Sequence, residues 1–259
     1  MTLLKPSSAP GVSAARPFLT ADWRHLVMVN YEVDPDVLMP WLPAGLELDT
    51  WEGRTLASVV AFEFLDTRVL GVGIPGHRDF HEVNLRFYVR RRANGGWRRG
   101  VVFIEELVPR RAIAWTARLF YGERYRALRM NGKVWRGPCE SGLPDWATYV
   151  RYWWWVNRSY QSVYAECDGE PDLPAKDSQA AFLTVQGWGY SSGGGLTLEY
   201  QVEHPPWRVW NLSHVQVDFD VEEIYGRALA RALGEPCSAL VAEGSPVIVR
   251  WGRRLNPQT

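Results

Sequence analysis

The stretch EVNLRFYVRR, Glu82 to Arg91, decides how this chain is read. In an extended strand successive side chains point to opposite faces. Glu82, Asn84, Arg86 and Tyr88 therefore share one face, and Val83, Leu85, Phe87 and Val89 share the other. The apolar face needs a core. The polar face carries an acid, an amide, a guanidinium and a phenol in a row, and two readings stay open. One is the solvated outside of a sheet. The other is the inner wall of a barrel, where such a row can grip a small acid or carbonyl compound. On the second reading Arg86 offers a bidentate fork to a carboxylate. Glu82, in a closed pocket, can have a raised pKa and act as acid or base.

The strand has a partner. GVVFIEELV, Gly100 to Val108, follows the ANGG turn and predicts a hairpin, with Arg90 to Arg92, Arg98 and Arg99 as a solvated charged tip. Outward from this hairpin the pattern is mostly strand. HLVMVNYEV (25–33), RTLASVVAFEFL (54–65), AIAWTARLFYG (112–122), GLTLEYQVEH (195–204) and SPVIVRWG (245–252) read as strands, and WATYVRYWWWV with SYQSVYAEC (146–167) as a second hairpin. DPDVLMPWLP predicts a short helix with Asp34 as N-cap and Pro35 at its first position. SQAAFL predicts another. DVEEIYGRALARALG, Asp220 to Gly234, predicts one longer amphipathic helix with an acidic first turn and a glycine stop. Many strands, short connections and few helices imply a mostly β, α+β fold, its antiparallel or mixed sheet closed into a barrel or folded into a sandwich. Residues 1–17 read as a flexible tail and 18–259 as a single domain.

Composition excludes several function classes. Net charge is zero over 259 residues, which points to neither nucleic acid nor an anionic membrane as partner. Three cysteines without CxxC argue against a disulfide scaffold and structural zinc. No apolar run suits a signal peptide or a membrane span, so a cytoplasmic protein is expected. His77, Asp79 and His81 sit at spacing two in a loop, which fits no defined ligand pattern, and no metal is assigned. No phosphate loop, nucleophile elbow or dinucleotide fingerprint is present, and no cofactor is expected. Glu105 and Glu106 read as a solvated pair at a strand end. Fourteen tryptophans serve core, pocket or subunit interface; YWWWV leaves a homo-oligomer open.

FLTADWRHLVMVNYEVDPDVLMPWLPAGLELDTWEG, FHEVNLRFYV, ARLFYGERYRALRM, EHPPWRVW and SPVIVRWGRRL together resemble the DUF2071 family of uncharacterised bacterial proteins, which looks like a branch of the acetoacetate decarboxylase-like superfamily. The resemblance implies a β-barrel or cone with a central cavity. In acetoacetate decarboxylase a lysine forms a Schiff base with the substrate ketone. Laid on Gly122, the run YGERYRAL puts Tyr125 and Arg126 where the lysine pair would be. The chain has only three lysines, Lys5, Lys133 and Lys176, and none is there. The family's pocket glutamate is matched by Glu82, while Glu32 stands where the decarboxylases have an arginine. Decarboxylation by the Schiff-base route is therefore not expected.

Three readings follow. The first is an enzyme on a small carbonyl or carboxylic compound, with Glu82 as acid/base, Tyr125 as proton donor or oxyanion partner and Arg86 as carboxylate anchor. Asn84, Tyr88, Arg118 and Arg126 are its further substrate contacts. The second is a barrel that binds a small ligand without catalysis. The third is an assembly domain whose barrel is filled by side chains.

Overall fold

The computed structural model describes residues 15–93, 95–111, 124–138, 146–193 and 195–255. Fifteen strands are described, and most of them are long. The first half holds β1 (Pro17–Glu32), β2 (Glu47–Leu48), β3 (Thr50–Trp51), β4 (Arg54–Val69), β5 (Phe80–Ala93) and β6 (Gly96–Val108). Next come β7 (Tyr125–Ala127), β8 (Met130–Pro138), β9 (Trp146–Val156) and β10 (Ser159–Asp172). The last are β11 (Trp188–Gly193), β12 (Leu196–Glu203), β13 (Val209–Asp218), β14 (Ser238–Arg250) and β15 (Arg253–Leu255).

The strand pairing closes on itself. β12 pairs with β11 and also with β14, through Val202 opposite Val249, so β12, β11, β6, β5, β4, β1 and β14 form a ring. From β14 the sheet continues through β13, β10, β9 and β8. This extension folds back over the outside of β1, β4 and β5, and those central strands are buried on both faces. Thr55 to Phe62 is buried without a break, which is why it reads TLASVVAF with no polar alternation beyond small residues. On β5, Val83, Leu85, Phe87 and Val89 pack into an outer core with Val150, Trp154 and Val163 of the β9–β10 hairpin. Tyr88, with Leu26 and Met28 of β1 and Val60 and Phe62 of β4, faces the inner core of the ring. Each fully buried large apolar side chain contributes about 1.5–3 kcal/mol, and two such layers account for most of the stabilisation.

The helices are short. α1 (Pro35–Leu38) starts as its sequence predicts, with the Asp34 carboxylate accepting from the Asp36 N–H at 3.0 Å. α2 (Gln179–Thr184) is capped by Ser178. The expected long helix after Asp220 is instead two pieces, α3 (Val221–Tyr225) and α4 (Arg227–Ala232). Gly226 lies between them at φ 89°, ψ 164°, a conformation that breaks the hydrogen-bond ladder. The Asp220 cap holds, accepting from Glu223 N–H. Gly244 is required by close approach: at φ +80° a Cβ there would stand 1.9 Å from the carbonyl oxygen of Trp23 on the paired strand β1.

The charged tip of the β5–β6 hairpin is not simply solvated. Arg91, Arg98 and Arg253 converge on buried Glu199 of β12, which also accepts from the Tyr190 hydroxyl. Arg99 pairs with buried Asp49. In YWWWV, Trp154 is fully buried in the outer core, and Trp155 lies under the Arg129 guanidinium. The expected strand 112–122, with Arg118, lies outside the described residues. No described helix is long and apolar enough to cross a membrane.

Candidate ligand cavity

The polar row of EVNLRFYVRR faces inward. Glu82, Asn84 and Arg86 line a cavity of about 230 Å³ inside the ring, each with less than a tenth of its surface exposed. The reason is register. Val83, Leu85 and Phe87 are claimed by the outer core, so the alternate residues of β5 must point into the ring. The barrel-wall reading of this strand is the one the structure supports.

Glu82 is a buried carboxyl on the cavity wall. Asn84 Nδ2 donates to its Oε1 at 3.1 Å, and the Tyr125 hydroxyl donates to its Oε2 at 3.5 Å. Burial pushes its carboxyl up from 4.5 to about 7, against the opposing pull of these hydrogen bonds and of the Arg86 charge. Tyr125 reaches the cavity because β7 pairs in parallel with β6, opposite Glu106, and aims that side chain inward. Alternation then turns Arg126 away. Its guanidinium pairs with Glu105 at 3.1 Å and donates to the carbonyl of Ile224 in α3, and Arg126 is not among the lining residues.

Arg86 donates to the Leu183 carbonyl at 3.3 Å and lies 3.9 Å from the Met28 sulfur. Its Nε has no hydrogen-bond partner among the described residues, and no described carboxylate forms an ion pair with it. Asn84 Oδ1 and Gln186 Oε1 are likewise buried with no partner among the described residues. Tyr88, also expected at the site, lies beneath the cavity wall. Its hydroxyl is engaged by Ser58 Oγ at 2.7 Å, and a chain of hydrogen bonds runs on through Asn30 and Ser238 to Gln179 of α2. Tyr88 thus braces the floor and is not among the lining residues.

Residues missed by sequence complete the lining. Glu106 is buried and faces the cavity, which corrects its reading as half of a solvated pair. His204 lies at the wall with Nε2 3.3 Å from the Gln186 carbonyl and stacks on Trp207 at 4.3 Å. Burial lowers its pKa, hydrogen bonds to the Pro205 and Gln186 carbonyls raise it, and the nearby Arg86 charge lowers it further. The wall is otherwise aromatic and aliphatic, including Trp23, Phe62, Phe64, Phe80 and Phe103.

The loop histidines part company. His77 is at the cavity edge, with Nδ1 3.1 Å from the Pro75 carbonyl. Asp79 accepts from Asp66 N–H. His81 points through the opposite face of β5 toward Glu63. Among the described residues no group of three His, Cys, Asp or Glu is arranged to hold a metal ion. Glu32 is exposed and is not among the lining residues. Among the described residues no lysine lines the cavity: Lys133 is exposed over the Trp135 ring and Lys176 is exposed in the loop before α2.

The described fold is similar to solved structures of the acetoacetate decarboxylase-like fold. The enduracididine biosynthesis enzyme MppR complexed with pyruvate superposes with a TM-score of 0.62 at 15% identity, over 98% of this chain and 96% of that one. Acetoacetate decarboxylase from Legionella pneumophila gives 0.61 at 13% identity, over 97% and 92%. An acetoacetate decarboxylase-like enzyme from Sphingomonas wittichii gives 0.59 at 14%, over 98% and 99%. Within that architecture the chain belongs to the DUF2071 family, described as an uncharacterized conserved protein, whose pattern matches residues 20–246. It is also similar to the uncharacterized protein YqjF of Bacillus subtilis, 38% identical over 76 residues, a match that spans 29% of this chain and 31% of that protein.

Proposed function

We propose that the cavity binds a small carboxylic or carbonyl compound, with Arg86 as anchor and Glu82 as acid/base, in chemistry that uses no Schiff base. The observation that carries this reading is the convergence on one cavity of a protonatable carboxyl, a phenol and a guanidinium whose Nε has no hydrogen-bond partner among the described residues. A perturbed carboxyl beside a specific charge in a pocket is the physical signature of a functional site. Arg86 supplies the charge for a ligand carboxylate. Near neutral pH, Glu82 is poised to take a proton from carbon next to a carbonyl or to give one to the carbonyl oxygen. In the first case the C–H electrons move to the carbonyl oxygen, and the Tyr125 hydroxyl is placed to hydrogen-bond that oxygen as charge develops. That MppR was solved with pyruvate supports a small oxo acid as the kind of ligand this architecture takes. The open cavity speaks against the filled assembly domain. Non-catalytic binding is the second reading, favoured by the preponderance of apolar lining.

The test is a thermal-shift screen of keto acids, hydroxy acids and aromatic carboxylates. A ligand at 100 times its dissociation constant adds about 2.7 kcal/mol of stability. Hits would then be followed for exchange of their α-protons in D₂O. Exchange lost in Glu82→Gln while binding persists supports catalysis. Binding without exchange in the wild type supports the non-catalytic barrel.

A further inference from the structure

The cavity's walls carry more information than its charged groups. Trp23, Phe62, Phe64 and Phe80 form one ring cluster: Trp23 meets Phe62 and Phe64 edge-on at 5.5 Å, and Phe64 stacks on Phe80 at 4.6 Å. Trp207 joins it at 6.3 Å from Trp23. Along the sheet this cluster lies beside the acid, since Phe62 pairs with Glu82 and Phe64 with Phe80. Arg86 is four residues further from Phe80 and the loop that precedes it. The cavity therefore runs from the loop after β4, past the rings and Glu82, to the buried Arg86 guanidinium, whose Nε has no hydrogen-bond partner among the described residues.

The loop end is apolar too. Val72 and Ile74 line the cavity and are nevertheless 65% and 51% exposed. Leu70, 61% exposed, occupies the left-handed region at φ 52°, beside Gly71 at φ 79°. Val69 and Val72 exchange backbone hydrogen bonds at 3.0 Å across this two-residue turn. Asn or Gly suits that position in such turns; a bulky leucine there is an outlier and places an apolar side chain in water.

From this gradient, and resting on the carboxylate site proposed above, we infer that the ligand is a monocarboxylate with an aromatic or branched apolar body, seated head-first with its acid group at Arg86. A volume of about 230 Å³ is that of about eight waters, which suits a molecule of about ten non-hydrogen atoms. Acetate or pyruvate would leave the ring cluster without a partner, and a neutral apolar molecule would leave Arg86 with only its carbonyl and sulfur contacts. Arg86 is buried, feels the Glu82 carboxyl only through space and makes no ion pair among the described residues, and a ligand carboxylate would supply one.

The experiment is isothermal titration of the whole chain at pH 6.5 with acetate, pyruvate, 3-phenylpropanoate and 3-phenylpropan-1-ol. The expected order places 3-phenylpropanoate about 30-fold or more tighter than acetate and pyruvate, the worth of burying a ring. It also binds about 10-fold or more tighter than the alcohol, the worth of a charge-assisted hydrogen bond. Arg86→Met removes a buried charge that makes no ion pair among the described residues, so the variant is expected to fold, and it should bring the acid down to the alcohol's affinity. If pyruvate binds as tightly as 3-phenylpropanoate, the apolar-body inference fails while the carboxylate site stands. If the alcohol equals the acid in the wild type, the carboxylate site fails and the inference with it. If none of the four binds, both fail.

Discussion

Glu63 and Glu82 sit on neighbouring strands, one register step apart, and the fold treats them in opposite ways. Glu82 pairs with Phe62 and faces the cavity; Glu63 pairs with His81 and faces the outside of the ring. Both lose water. Glu82 receives an amide N–H and a distant phenol, and burial wins, so its carboxyl rises to about 7. For Glu63 burial again pushes upward, but hydrogen bonds from His25 at 2.8 Å and from His81 outweigh it and bring the carboxyl down to about 2. His25 reaches Glu63 because β1 bulges there, with His25 at φ 53° and a register shift between Arg24 and Val27. The Tyr152 hydroxyl donates to the His25 carbonyl at 2.9 Å and ties the outer hairpin to the same point. One carboxyl is thus built as a structural clasp and the other is held ready to change its proton. Each has two side-chain donors; the difference is that Glu82 is the more deeply buried and its hydrogen-bond donors are an amide and a phenol, whereas the two histidines that donate to Glu63 also attract its charge.

The largest effect that sharpens this contrast is catalytic. If Glu82 moves a proton, Glu82→Gln lowers exchange of the bound ligand's α-proton by about 100-fold or more, and Glu63→Gln leaves it within a few-fold. Measurement is by NMR in D₂O. Stability should move the other way. Glu82 ionises near 4.5 when unfolded and near 7 when folded, so the wild type loses stability as pH rises between those values. At 1.36 kcal/mol per pH unit the loss is about 3 kcal/mol. Urea melts should show Glu82→Gln matching the wild type at pH 4 and exceeding it at pH 8.

Glu63 carries the opposite sign. Its folded-state carboxyl is depressed, so its contribution is present above about 4.5 and is lost as pH falls toward 2. Glu63→Gln should cost on the order of 2 kcal/mol at pH 7, the worth of hydrogen bonds to a charged group. It should also flatten the acid limb of the wild-type stability curve. Gly132→Ala probes the packing behind the clasp. Its Cβ would stand 2.6 Å from the Tyr152 ring and 2.7 Å from the His81 ring, and a loss of about 1–2 kcal/mol is expected in the same melts. The smallest effect is Ser58→Ala, about 1 kcal/mol, because the Tyr88 hydroxyl loses a partner beneath the cavity while Glu82 keeps both of its own.

How far these regions were legible in the sequence depends on range. Alternation along EVNLRFYVRR placed Glu82, Asn84 and Arg86 on one face correctly, because a period of two is a local property. It could not say that Tyr88's hydroxyl is consumed by Ser58, 30 residues away in the chain. Tyr125 and Arg126 were named together from the resemblance; the parallel register of β7 against β6 keeps one and rejects the other. Glu106 looked solvated because it follows Glu105 near a strand end, yet one of the pair faces the cavity and its neighbour an arginine. His204 lay within EHPPWRVW, a segment noticed for its resemblance but not for its histidine; the paired prolines before Trp207 were the available signal for a fixed turn at a wall. The break at Gly226 was hidden because apolar periodicity continues through it. The clasp at Glu63 was not legible at all, since it requires a bulge and three strands in register.

The most direct test is the titration of the glutamate side chains themselves. Carbon-13 labelling of glutamate carboxyls, followed by NMR from pH 4 to 9, should show one resonance with a midpoint near 7 that is absent from Glu82→Gln, and one that stays ionised down to the lowest pH and is absent from Glu63→Gln. A Glu82 resonance with its midpoint near 4.5 would contradict the account, because the cavity would then hold an ordinary carboxylate with no proton to give at neutral pH.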